Sequence, residues 1–141
     1  MREAYFVDFA VAMQEKVNIP LMVIGGFRRR DVMEQAINSG GADLIGLGRP
    51  MCVVTDAPAQ LLAGLDELPR FENQLSLFPT WLAFLGRVQA LRGAAAFAVQ
   101  FWFYAQLDNL GRDGHINKNL SVLAATRQVM LQQKNWLAAR R

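Results

Sequence analysis

Cysteine and histidine are almost missing from this 141-residue sequence, which has one of each, Cys52 and His115. A lone cysteine excludes an internal disulfide framework and a multi-cysteine zinc site, and nothing points to an oxidising compartment. A lone histidine excludes metal chemistry that needs two or three imidazoles from one chain. Long apolar runs are also lacking. The best candidate for a membrane span, Gly93 to Leu107, is uncharged but only 15 residues long and carries Gln100 and Gln106, whereas a span needs about 20 apolar residues. The opening residues, Met1 to Lys16, alternate charge and hydrophobe and do not show the basic cap and apolar run of a secretory signal. Disorder is excluded by composition, since 52% of the residues are hydrophobic and 19% charged. These absences lead us to expect a soluble, cytoplasmic, globular chain of single-domain size that does not enter a membrane.

Charge is present but uneven. Residues 1–86 carry seven basic and ten acidic side chains, while residues 87–141 carry eight basic and two acidic ones. A basic tail of this kind suits an acidic surface or a nucleic acid. The basic residues are dispersed, however, and no nucleic-acid motif accompanies them, so the expected reading is a solvated terminal helix and no nucleic-acid partner.

Along the chain, Arg2 to Val17 reads as an amphipathic helix with Phe6, Phe9, Met13 and Val17 on its apolar stripe. Asn18-Ile19-Pro20 stops it, because the residue before proline is pushed out of the helical region. Leu21-Met22-Val23-Ile24 is a continuous apolar run ended by Gly25-Gly26, as expected for a strand buried on both faces. A helix from about Arg29 to Ser39 follows, with Val32, Met33, Ala36 and Ile37 on its apolar side and Gly40-Gly41 as its stop. Ala42 to Gly48 is a second buried strand, ending at Arg49-Pro50. Strand, helix and strand over so short a stretch make a βαβ unit with parallel pairing. Asp56 is a candidate cap for a helix from about Ala57 to Ala63, and Gly64 to Glu72 reads as a loop. From Leu75 onward the pattern is helical: an aromatic-rich stretch around Trp81 and Phe84, then Ala94 to Leu110, then about Ser121 to Ala139. Gly111-Arg112-Asp113-Gly114 is the clearest turn in the tail.

The chemistry resides in the two glycine-ended strands. In parallel α/β architecture ligands gather at the carboxyl ends of strands. Glycine lets the backbone approach a ligand closely and exposes N–H groups to phosphate oxygens. An arginine beside it adds a planar fork that binds phosphate through two hydrogen bonds. Gly25-Gly26 and Gly48-Arg49, on adjacent strands, therefore favour a phosphate site. The pattern is neither the three-glycine dinucleotide turn nor a P-loop.

The segments carrying these residues, IPLMVIGGFRRRDVMEQAI and GADLIGLGRPMCVVTDAPAQLL, resemble the C-terminal part of the old yellow enzyme family of NADH:flavin oxidoreductases. The similarity begins in REAYFVDFA and extends to about residue 64. The tail from Pro69 resembles the helical C-terminal extension of some bacterial members. The resemblance implies an α/β fold, the last two βα units of a (β/α)₈ TIM barrel over residues 1–68, and a helical extension over residues 69–141. It implies FMN at the carboxyl ends of the strands, NAD(P)H as hydride donor and a small-molecule electron acceptor. Gly25, Gly26, Gly48 and Arg49 match the family's FMN phosphate site, and Phe27 follows the same turn and is expected to border the flavin.

A complete barrel takes about 250 residues, and two strands are present here. The family's substrate-binding histidine pair (or histidine and asparagine) and its tyrosine proton donor have no counterpart in His115, Tyr5 or Tyr104, so no catalytic residue is assigned. The expectation is a chain that supplies the flavin-phosphate end of a site and is inactive alone. It would work with the missing barrel or as a homo-oligomer, or else survive as a truncated remnant or split subunit. Cys52 is expected to be a small buried hydrophobe, and Arg28 to add positive potential at the phosphate mouth. Arg29 and Arg30 are expected in a solvated first helical turn. Phe97, Phe101, Trp102 and Tyr104 are expected to serve packing.

Overall fold

A computed structural model describes residues 4, 6–77 and 89–140. The chain divides into two compact units, Met1–Arg70 and Phe71–Arg141.

The first unit contains α1 (Val7–Gln14), β1 (Met22–Ile24), α2 (Arg30–Asn38), β2 (Leu44–Gly46) and α3 (Ala57–Leu62). β1 and β2 pair in parallel, with Met22 opposite Leu44, Val23 opposite Ile45 and Ile24 opposite Gly46. The βαβ reading therefore holds. The register depends on Gly46, because a Cβ there would sit 2.3 Å from Ile24 Cγ1. Asp43 fixes the entry to both strands: its Oδ2 accepts from the Leu21 N–H at 2.8 Å and from Gln14 Nε2 at 2.7 Å. The Leu21 carbonyl in turn accepts from the N–H groups of Asp43 and Leu44.

The core of this unit joins Ala10, Val23, Phe27, Met33, Ala36, Ala42, Ala57, Leu61 and Leu68. It lies on one face of the sheet only, which corrects the expectation of strands buried on both faces. Met22 is 59% exposed, Ile24 58% and Leu44 51%, and they share the face opposite Val23. The stripe expected to bury α1 is also open, with Phe6 and Phe9 exposed and Ala10 buried. Both results have one physical cause: the apolar pattern is present but the described residues of this unit do not cover it. Phe6, Phe9, Met13, Met22 and Ile24 instead help line an apolar cavity of about 620 Å³.

Two local expectations change as well. Helix α1 stops at Gln14, where Lys16 and Val17 both donate back to the Met13 carbonyl. The Asp56 side chain does not cap α3 but accepts from Gln60 Nε2 at 2.9 Å. The segment expected as a loop from Gly64 returns to the start of α2, where Arg30 donates to the Asp66 carbonyl and Leu68 to the Arg28 carbonyl. Arg29 forms an antiparallel bridge with Glu67.

In the second unit, a single 3₁₀ turn at Phe71–Asn73 precedes α4 (Gln89–Asp113) and α5 (Val122–Ala138). Leu75 to Leu77 are not helical, and the stretch around Trp81 and Phe84 lies outside the described residues. Helix α4 runs through Gly111, correcting the turn expected there. The reversal comes at Gly114, whose φ of +70° suits the left-handed end of a helix and whose N–H donates to the Leu110 carbonyl. Side chains lock the connection between the helices. Trp102 Nε1 donates to the Leu120 carbonyl at 2.7 Å, and buried Gln106 both donates to the Asn117 carbonyl and accepts from its N–H. Ser121 caps α5 by accepting from the Ala124 N–H. Among the aromatics expected to pack, Trp102 is buried while Phe97 and Tyr104 are exposed. No described helix is long and apolar enough to cross a membrane.

Candidate functional site

The pairing of Ile24 with Gly46 brings the chain beyond both strands to the same end of the sheet. Gly25-Gly26 leaves β1 there and Leu47-Gly48-Arg49 leaves β2, so parallel pairing gathers the four residues singled out from the sequence. Their local conformations differ. Gly25 is buried and its carbonyl accepts from the Ala4 N–H at 2.9 Å. Gly26 has φ of +70°, a left-handed conformation that only glycine adopts without strain. Gly48 is exposed, and a Cβ built on it would meet nothing within 4 Å.

Arg49 opens a 3₁₀ turn, Arg49–Cys52, and is partly buried. The Gly48 carbonyl anchors this turn by accepting from the Met51 N–H at 3.0 Å, with Cys52 Sγ 3.8 Å away. Cys52, expected to be buried, is only partly so, and that burial pushes its thiol above the usual range. The result is an open strand end where an exposed glycine is followed directly by an arginine, residue types suited to an anionic oxygen.

The neighbouring residues divide differently from expectation. The Phe27 ring is buried in the core of the first unit. Arg28 is buried too, and its Nη1 donates to the Phe27 carbonyl at 2.8 Å. Arg29 pairs with Asp31, and Arg30 with Glu34 and Asp66 at 3.7 and 3.3 Å. Of these solvated pairs, Arg30–Asp66 joins the Asp66–Leu68 return to α2, and the other two are local to the start of that helix. Asp43 was not singled out from the sequence. The Leu21 N–H and the Gln14 amide hold its carboxyl below the usual carboxylate range. A polar residue at the mouth of an apolar run was the available signal.

His115 Nδ1 lies against the Asp113 carbonyl in the exposed turn between α4 and α5. No group of three or more potential metal-ligating side chains occurs among the described residues.

No family model and no solved structure matches the chain. Curated proteins do. An NADH-dependent flavin oxidoreductase of Hypocrea jecorina is 44% identical over 89 residues, covering 53% of this chain and 22% of its own length. One from Talaromyces variabilis is 27% identical over 114 residues, covering 80% of this chain and 28% of its own. A third, from Neonectria sp., is 48% identical over 52 residues, covering 36% of this chain and 7% of its own. The resemblance read from the two glycine elements is therefore matched by three proteins bearing that description. The second match covers more of the chain than either compact unit alone supplies. This chain spans less than a third of the length of each relative.

Proposed function

We propose, starting from this kinship with NADH-dependent flavin oxidoreductases of the old yellow enzyme type, that the chain supplies the flavin-phosphate end of an FMN site. The observation that carries the reading is the open backbone of Gly48 beside Arg49, at the same sheet end as the left-handed turn of Gly26. A side chain at Gly48 would occupy the space through which an oxyanion reaches the backbone, and the present residue leaves that space clear. Gly25 and Gly26 shape the turn on the β1 side. Gly48 admits the phosphate to the main chain, and Arg49 neutralises and orients it. The buried Phe27 supports the turn from the core side.

Bound FMN would supply the chemistry of hydride transfer between NAD(P)H and a small electron-poor acceptor, and Gly25, Gly26, Gly48 and Arg49 would hold its phosphate. This chain's residues bind and orient that group. No described residue of this chain is assigned as a proton donor for the acceptor, and that role is proposed for residues elsewhere in the assembled protein.

The uncovered sheet face supports the further reading that these two βα units belong to a larger parallel barrel. Parallel strands are ordinarily covered on both faces. Here Met22, Ile24 and Leu44 are open on one face, and the short sheet has two strands. The same observation favours a second reading, a split subunit that needs another polypeptide to supply the missing strands.

The test is Arg49→Ala in the natively expressed protein, read as flavin retained through gel filtration. Loss of charged hydrogen bonds, about 1.5–3 kcal/mol, weakens retention roughly ten- to a hundredfold with unfolding unchanged. Unaltered flavin occupancy would remove Arg49 from the site. Mass analysis of the released flavin separates FMN from FAD.

A further inference from the structure

The outer face of α5 has a pattern that the flavin reading leaves unused. Val122, Ala125 and Val129 are buried on one side of this helix. Away from them, Leu123, Met130 and Leu137 recur every seventh residue, each more than half exposed. Arg127 and Lys134, also seven apart and exposed, lie about 40–60° around the helix from that stripe at 100° per residue. Neither is held in an ion pair or hydrogen bond among the described residues. Open grooves of about 550 and 320 Å³ run along the stripe, bordered by Leu123, Arg127, Met130, Lys134 and Leu137. From Gly114 to Arg141 there are five Lys or Arg residues and no Asp or Glu.

We propose that this seam is an interaction surface for an acidic amphipathic α-helix. Side chains seven residues apart fall on one helix face, so this stripe offers a second helix one apolar position per heptad, and charges flanking such a face select the partner. A partner with apolar residues on the same repeat and carboxylates beside them would fill the grooves and pair with Arg127 and Lys134. Two other occupants fit less well. A second copy brings the same all-basic helix, so its own Arg127 and Lys134 add like charge and no carboxylate. A lipid surface would draw these two cations toward the acyl layer, because they sit within the apolar stripe and not on an opposite polar face.

The test uses the full chain and two synthetic helical peptides of three heptads, one with leucine at the seam positions and glutamate beside them, the other its lysine-flanked twin. Fluorescence anisotropy should show the glutamate peptide binding roughly tenfold more tightly at low salt, with the gap closing at high salt. The double variant Arg127→Glu/Lys134→Glu should reverse the preference. Arg127→Gln/Lys134→Gln should abolish it, which keeps the test decisive if the reversal disturbs folding. Met130→Ala should weaken both peptides. Equal binding of the two peptides, or a preference unmoved by the charge variants, would overturn the proposal. So would association with phosphatidylcholine–phosphatidylserine vesicles in place of the glutamate peptide, or self-association through Met130 that excludes it. None of these readouts depends on flavin binding.

Discussion

Gly46 and Gly48 lie two residues apart, and the same substitution at each should have opposite consequences. At Gly46 an added Cβ falls 2.3 Å from Ile24 Cγ1, with Ile24 Cδ1 and Met22 Sδ at 3.1 and 3.3 Å. Carbon atoms settle at about 3.5–4.0 Å, so Ile24 must swing aside by more than an ångström or the strands must part. Overpacking of this size costs about 1–3 kcal/mol. At Gly48 the added Cβ meets nothing within 4 Å, so Gly48→Ala should leave stability within about 1 kcal/mol of the parent. That same Cβ stands where the proposed phosphate reaches the backbone, and losing one charged hydrogen bond weakens flavin retention roughly tenfold or more. Urea unfolding and flavin retention, measured on both variants of the natively expressed protein, separate the two effects. Gly46→Ala should lower the unfolding midpoint, and the flavin it retains should track the folded fraction. Gly48→Ala should keep the midpoint and lose flavin. A Gly48→Ala protein that holds flavin like its parent would refute the assignment of the open strand end.

Three further outcomes follow from the packing. Asp43 is held below the usual carboxylate range, so its contribution is present above the ordinary value near 3.9 and is lost as pH falls through the lower folded value. Asp43→Asn should therefore lower the unfolding midpoint at neutral pH, and the gap should close on acidification; a gap independent of pH would contradict this. Gln106→Ala removes the two hydrogen bonds that this buried side chain makes to the N–H and carbonyl of Asn117 and should cost about 1–3 kcal/mol for two ordinary hydrogen bonds, read by thermal unfolding against Gln100→Ala, which should be nearly neutral. The 141-residue chain expressed by itself should self-associate through its open sheet face and edges. A monodisperse monomer that unfolds cooperatively in ultracentrifugation and urea experiments would argue against a sheet that needs further strands.

The parallel βαβ unit was legible because Met22–Ile24 and Leu44–Gly46 are apolar runs ended by glycine, with a helical pattern between them. The gathering of Gly26, Gly48 and Arg49 followed from the parallel pairing alone. What the pattern misjudged was burial. Phe6, Phe9, Met22 and Ile24 are written for an interior, but periodicity states which face seeks cover and cannot say whether this chain provides it. The burial of Arg28 was not legible either, since nothing in a charged residue beside a turn tells that its guanidinium bonds to the Phe27 carbonyl. Gly111 shows the limit of turn signals, since a glycine in a long helix costs only about 1 kcal/mol and α4 runs through it. Asp43 gave only one signal, a carboxylate at the mouth of an apolar run, because its role lies in hydrogen bonds to Leu21 and Gln14, far apart in sequence.

Native mass spectrometry of the protein isolated from its own cells tests the central claim most directly, since one spectrum reads both the polypeptide and its cargo. The account predicts an assembly well above the 15.8 kDa of this chain that carries FMN, released as the free cofactor on denaturation. A 15.8 kDa polypeptide without flavin, alone or with copies of itself, would contradict it.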